Sequence, residues 1–222
     1  MLAKSPMKAS DRPSLSQQAR RLGHDRRVSR YEDRPNVPVL WFSPAAWVKL
    51  NWLAHVGQTE IGGFGVTLDP DELLVTEFHL LNQKCTSISV AFEDEAVADY
   101  FEKMVDAGRK PEQFARIWLH THPGDSPMPS TTDEATFARV FGSCDWAIMF
   151  ILSRTGKTYA RLRFRAGPGG QLLVPVGVRW DLPIGEIDDD VWGDEYADTV
   201  EDLDLFKSDR LEWWDEPTVK DA

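Results

Sequence analysis

Phe114-Ala-Arg-Ile-Trp-Leu-His120-Thr-His122-Pro-Gly-Asp-Ser-Pro-Met-Pro-Ser130-Thr-Thr-Asp133-Glu-Ala-Thr-Phe137 contains both a clear strand-to-helix transition and the densest run of chemically able side chains in the chain. Phe114 to His120 is a short apolar run, and Pro123 cannot continue a central strand, so His120-Thr121-His122 falls at a strand end. The Gly, Asp, Ser and Pro residues that follow read as a loop. Ser130 to Phe141 then opens with capping residues and continues as a helix. On a strand, residues i and i+2 share a face, so the imidazoles of His120 and His122 can converge on one ion. Two ligands do not make a metal site, and partly exposed strand histidines are the plain alternative. Asp133, eleven residues after His122, stands at the helix opening, where its carboxylate can bend back toward the strand end. Two His and one Asp leave a fourth tetrahedral position for water, the pattern of a catalytic zinc. Ser130-x-x-Asp133 also reads as a capping box, and both roles can hold together because the cap fixes where Asp133 points.

On either side of this stretch the pattern predicts a mixed sheet flanked by helices, an α/β (α+β mixed) fold. Upstream, Ser43-Pro44 suits an N-cap followed by proline at the first helical position, and Ala46, Trp47, Leu50, Leu53 and Ala54 recur at helical spacing to about Gly57. Ile61 to Leu68, Leu73 to Leu81 and Thr86 to Phe92 read as three strands of a meander. Asp94 to Gly108 places Ala96, Val97, Tyr100, Phe101, Met104 and Val105 on one helical face, with Gly108 as a stop. Downstream, Trp146 to Ser153, Tyr159 to Phe164 and Leu172 to Trp180 are strand candidates, the first two joined at Arg154-Thr155-Gly156-Lys157. No internal repeat is visible. Glu60 precedes the first of these strands, and Gly62 and Gly63 beside it offer the close backbone approach that a substrate cleft requires.

Composition narrows the function classes. With 42% hydrophobic residues and nine tryptophans, 222 residues suffice for one domain with tails. Cys85 and Cys144 form neither a CxxC motif nor a Cys/His cluster, which points to a reducing compartment and a cytoplasmic protein. No run approaches the ~18 to 20 apolar residues of a membrane span, and no signal peptide opens the chain. Residues 1–40 carry nine Lys/Arg against four Asp/Glu, whereas residues 181–222 carry three against sixteen. Three regions follow: a basic arm over 1–38 expected to be disordered, a domain over 39–184, and an acidic tail over 185–222. Overall the chain is acidic, at −11, which argues against a nucleic-acid binder. The tail interleaves its carboxylates with Trp192, Tyr196, Leu203, Leu205, Phe206, Trp213 and Trp214, so it can dock on a basic apolar groove of a partner or on this protein's own surface. A solvated tail is the third option. His24 lies in the arm, His55 and His79 read as packed or surface histidines, and Asp125 as solvated.

Taken together, Glu60-Ile-Gly-Gly and His120-Thr-His122-Pro, followed after seven residues by Ser130 and after two more by Asp133, resemble the JAMM signature of the JAB/MPN+ metalloproteases. The resemblance covers about residues 40–180. Pro129 directly before Ser130 looks like the prokaryotic JAB branch, Trp118 stands where the family often has an aromatic residue, and Ile117 where many members have glycine. It implies an MPN/JAB-like mixed sheet and a zinc hydrolase, with His120, His122 and Asp133 holding the metal. Glu60 would be the general base that takes a proton from water and passes it to the leaving amine. Ser130 would donate to the tetrahedral oxyanion. The substrate so implied is a peptide or isopeptide bond, as at the C-terminal tail of a ubiquitin-like or sulfur-carrier protein. Two other readings are a noncatalytic MPN scaffold that only binds partners, which loss of the metal residues would mark, and a nucleic-acid-associated JAB relative anchored by its basic arm.

Overall fold

A computed structural model describes residues 37–185 and 187–203. The expected arm, apart from its last residues, and the tail residues Leu205, Phe206, Trp213 and Trp214 lie outside the described residues.

The architecture is mixed α/β: a large mixed sheet with helices on both faces. Its eight strands are β1 (Leu40–Phe42), β2 (Gly62–Leu68), β3 (Asp71–Leu80), β6 (Ile117–His122), β7 (Trp146–Ser153), β8 (Thr158–Phe164), β9 (Gly170–Leu173) and β10 (Val176–Val178). Their order is β10-β1-β3-β2-β6-β7-β8-β9. The parallel pair β6 and β7 lies in the middle, and β7 is covered on both faces, hence its unbroken apolar sequence. Ile148, Phe150 and Leu152 point into one core with Leu50, Leu53 and Phe78. Ala147, Met149 and Ile151 point into the other with Phe64, Trp118, Phe137 and Phe141. The first core lies under α1 (Pro44–Val56), which starts as expected, with Ser43 Oγ accepting from the Ala46 N–H and Pro44 in the first turn. The second lies under α2 (Asp94–Asp106) and α4 (Thr131–Phe141), and a single turn, α3 (Pro111–Phe114), leads into β6.

Two strand expectations of the sequence reading need correction. Thr86 to Phe92 is not the third strand of a meander. It is the return of a hairpin, β4 (Gln83–Thr86) with β5 (Ser89–Phe92), in a separate small sheet. Thr86 Oγ1 takes the Ile88 N–H and pairs with Ser89 Oγ at 2.8 Å, and this local bonding turns the chain where alternation suggested extension. Leu172 to Trp180 is likewise two strands, because Pro175 has no N–H to offer a ladder. The chain crosses there from the β8 edge to the β1 edge, where Val174 donates to the Ala160 carbonyl and Leu40 to the Pro175 carbonyl. With only Val174 and Pro175 between β9 and β10, the two edges of the sheet are drawn together and the sheet curls.

The start of the acidic tail is ordered on the domain. Residues of α5 (Asp189–Thr199) pack on α1, with Trp192 set edge-on to Trp52 at 6.0 Å and Glu195 paired to Lys49. The short strand β11 (Val200–Asp202) then joins β4 in parallel. Among the described residues no helix is long and apolar enough to cross a membrane.

Candidate metal centre

The end of β6 sets the site. Alternation sends Trp118, His120 and His122 to the α4 side and Thr121 to the opposite side. There Thr121 clasps Ile61: its N–H donates to the Ile61 carbonyl at 2.9 Å, and its Oγ1 accepts the Ile61 N–H at 3.1 Å. One residue further along, the buried Gln83 side chain does the same for Gly62, accepting its N–H at 2.8 Å and donating to its carbonyl at 2.9 Å. Glu60 itself gives its N–H to the Thr86 carbonyl at 2.9 Å. Three consecutive residues are thus pinned, and the Glu60 carboxylate is held beside the histidines, with Oε1 3.6 Å from His122 Nε2. Gly62 and Gly63 do not open a cleft, as the sequence suggested. A Cβ on Gly62 would meet Val90 and Phe92 at 2.9 and 3.0 Å, and one on Gly63 would meet the His79 carbonyl at 2.1 Å, so these glycines admit the protein's own small sheet and β3.

Asp133 arrives from the other direction. Ser130 caps α4 by accepting the Asp133 N–H on Oγ at 3.1 Å, and the Ser130 N–H donates to Asp133 Oδ2 at 2.6 Å. The capping box forms, and the same carboxylate still faces the histidines. Asp133 Oδ1 lies 3.4 Å from His120 Nε2, and Oδ2 lies 3.5 Å from His122 Nε2. Ligand atoms at ~2.0 to 2.1 Å around a tetrahedral ion stand ~3.3 Å apart, so these spacings suit a shared cation. The three ligand atoms all fall within 4.8 Å of one another, and the group could hold a metal ion.

Unsatisfied atoms support the same fit. Both ring nitrogens of His120, Nε2 of His122 and Oε2 of Glu60 are buried and lack hydrogen-bond partners among the described residues. Each such orphan costs ~1 to 3 kcal/mol, and a cation engages several of them at once. His122 Nδ1 lies 3.0 Å from the Ser126 carbonyl, a contact that requires the proton on Nδ1 and leaves the Nε2 lone pair free toward Asp133 and Glu60. His120 is held differently, by Trp118 stacked on its ring at 4.3 Å and 23°.

The electrostatics follow from burial. Burial pushes the Glu60 carboxyl up to about 7; His122 opposes the rise and Asp133 adds to it. Burial also lowers the His120 imidazole, against the pull of Asp133. For His122 burial works downward too, but Asp133, Glu60 and the Ser126 carbonyl overcome it and raise the group. Burial raises Asp133, and the two histidines with the Ser130 N–H more than reverse this, holding it well below the usual carboxylate range.

Beyond these five residues the surroundings are structural. The Arg154 N–H donates to the His122 carbonyl, while its guanidinium donates to Gln58 Oε1 and the Gly57 carbonyl, tying the β7–β8 turn to the histidine loop and the end of α1. His55 bonds the Asn51 carbonyl within α1, His79 pairs with Glu77, and Asp125 is exposed. Cys85 is buried, which pushes its thiol up to about 12 and leaves it a poor nucleophile. Sequence reasoning missed Thr121 and Gln83. A polar residue between two histidines, on the apolar side of a buried strand, is a signal for the first; Gln83 carries no local signal. The sequence matches no protein-family model and no curated protein among those compared.

Proposed function

We propose that this chain is a zinc-dependent metallopeptidase or isopeptidase of the JAB/JAMM (MPN+) type. The observation that carries the reading is the convergence of His120, His122 and Asp133, with Glu60 beside them, on one buried point lined with unsatisfied nitrogen and oxygen atoms. Two imidazoles and one carboxylate form a donor set that suits zinc and leaves a position for water. When bound, zinc supplies Lewis-acid polarisation of a carbonyl and makes water more acidic. Glu60, poised near neutral pH and 3.6 Å from His122, takes a proton from water and delivers it to the leaving amine. Ser130 Oγ accepts the Asp133 N–H, which leaves its own hydrogen to donate to the developing oxyanion. The matching spacing of the motif supports, as substrate, the tail of a ubiquitin-like or sulfur-carrier protein. The two free cysteines fit a cytoplasmic setting.

The test is metal analysis of the purified chain, paired with cleavage of ubiquitin-like fusions carrying a peptide or a lysine isopeptide bond. One zinc per chain and cleavage that chelation abolishes are expected. Protein that takes up no zinc when it is supplied would overturn the metal assignment. Zinc-loaded protein that cleaves neither bond would leave a metal-binding scaffold.

A further inference from the structure

A groove of about 510 Å³ lies on the outer side of α1, on the face of the sheet opposite the metal centre. Trp47, Val48 and Trp52 of α1 form its floor, Trp180 and Trp192 line it further along, and Arg154 stands at the end nearest the histidine loop. This explains why α1 is apolar nearly all round: one face enters the core and the other lines the groove. Among the described residues the Arg154 guanidinium bonds only neutral oxygens, those of Gln58, His55 and Gly57, and makes no ion pair, while Asp189 is the one carboxylate that lines the groove.

We propose that this groove is a docking site for the chain's own C-terminal segment, residues 204–222, which seats Trp213 and Trp214 among the groove tryptophans. The occupant follows from chemistry and from where the described chain ends. The segment holds Leu205, Phe206, Leu211, Trp213 and Trp214, and the two tryptophans are flanked by Glu212, Asp215 and Glu216, whose charge suits Arg154. Residues 1–36 contain neither Trp nor Phe and are rich in arginine, so they suit it less. The stretch just before the segment borders the groove: Ile187, Asp189 and Trp192 line it, α5 then packs on α1, and β11 leaves it to join β4, ending with the Leu203 N–H on the Cys85 carbonyl. From Trp192 to Leu203 the path is at most ~25 Å, from ~1.5 Å per helical and ~3.3 Å per strand residue. Ten further residues span up to ~33 Å, so Trp213 can return to the groove. This inference does not depend on the proposed chemistry.

The test is amide hydrogen exchange, read by mass spectrometry on the full chain, for the wild type, Trp213→Ala/Trp214→Ala and Val48→Glu. The wild type should protect the peptide around residues 210–216. Both variants should raise its exchange about tenfold or more, as expected when a docked segment is released. Dilution should leave the wild-type protection unchanged. Exchange at the rate of an unstructured peptide in the wild type would overturn the proposal. So would protection that fades on dilution, which would make a second copy the occupant, or protection of residues 1–36 that Val48→Glu alone removes, which would make it the N-terminal arm. If Val48→Glu fails to fold, the double tryptophan variant, altered only beyond the described residues, still decides.

Discussion

Strands β3 and β6 carry the same device and use it in opposite ways. On β3, Glu77 and His79 stand two apart and are joined by Arg109, which follows α2. On β6, His120 and His122 stand two apart and are joined by Asp133 from the start of α4. The first cluster is half-exposed and internally paired: Glu77 binds His79 and Arg109, both at 2.9 Å, its carboxyl is held down at about 2, chiefly by the His79 hydrogen bond, and only Arg109 Nη1 is buried there without a partner among the described residues. The second is buried and unfinished, with nitrogens and an oxygen that lack partners and a Glu60 carboxyl raised by burial. Three polar groups that pair with one another at a half-exposed edge make a brace. Three that are buried without doing so have a use for something else, and here a cation fits.

The largest expected effect breaks the second cluster. Asp133→Ala should lower zinc affinity by more than ~100-fold, since even partners of metal ligands are worth ~10 to 100-fold. In the wild type, zinc at ~100 times Kd should add ~2.7 kcal/mol, or roughly 5 to 10 °C in Tm for a chain of this size. The variant should show no such shift by thermal denaturation with and without zinc. If it shifts like the wild type, the ligand set is wrong.

Glu60→Gln should retain zinc while hydrolysis falls by ~10²- to 10⁴-fold, the range for a lost general base. Its metal-free form carries a second signature. Because the folded-state pKa of Glu60 is raised from 4.5 to about 7, the metal-free protein loses stability as pH rises through that interval. The glutamine variant escapes this loss, so above pH 7 it should exceed the wild type by ~2 to 3 kcal/mol, and near pH 4 the two should agree. Urea unfolding of chelated protein at both pH values reads the difference; equal stability at high pH would mean that Glu60 is not desolvated.

Ser130→Ala removes a cap whose loss typically costs ~1 kcal/mol. Hydrolysis should fall less than in Glu60→Gln, and restoration by Ser130→Thr would show that the hydroxyl matters beyond packing. The smallest effect belongs to β3. Glu77 is 42% exposed, so solvent limits the contribution of its pairs to a few tenths up to ~1 kcal/mol. That contribution is present above pH 4.5 and lost as pH falls toward 2, the reverse of the Glu60 case. Glu77→Gln should therefore lower stability at pH 7 and leave it unchanged near pH 2. A deficit that persists in acid would place its origin in packing.

What the sequence determined by itself is local. The i, i+2 spacing of His120 and His122, the Ser130 to Asp133 capping box and the helix starts at Ser43 and Ser130 rest on strand and helix periodicity and on bonds between near neighbours. Those forces are written in adjacent residues. The elements misread were ones in which a short-range bond or a missing N–H competed with the hydrophobic pattern, as at Thr86 to Ser89 and at Pro175. The clamps on Ile61 and Gly62 were decided only by tertiary structure. Thr121 is 60 residues from Ile61 and Gln83 is 21 from Gly62, and no local pattern records which backbone groups a folded chain will bring to them. The same holds for the ordering of 189–202, an acidic stretch of weak local preference that becomes helix and strand because α1 and β4 offer partners. It holds equally for the unfinished state of the cluster of His120, His122 and Asp133, since burial and missing partners are properties of the packed chain.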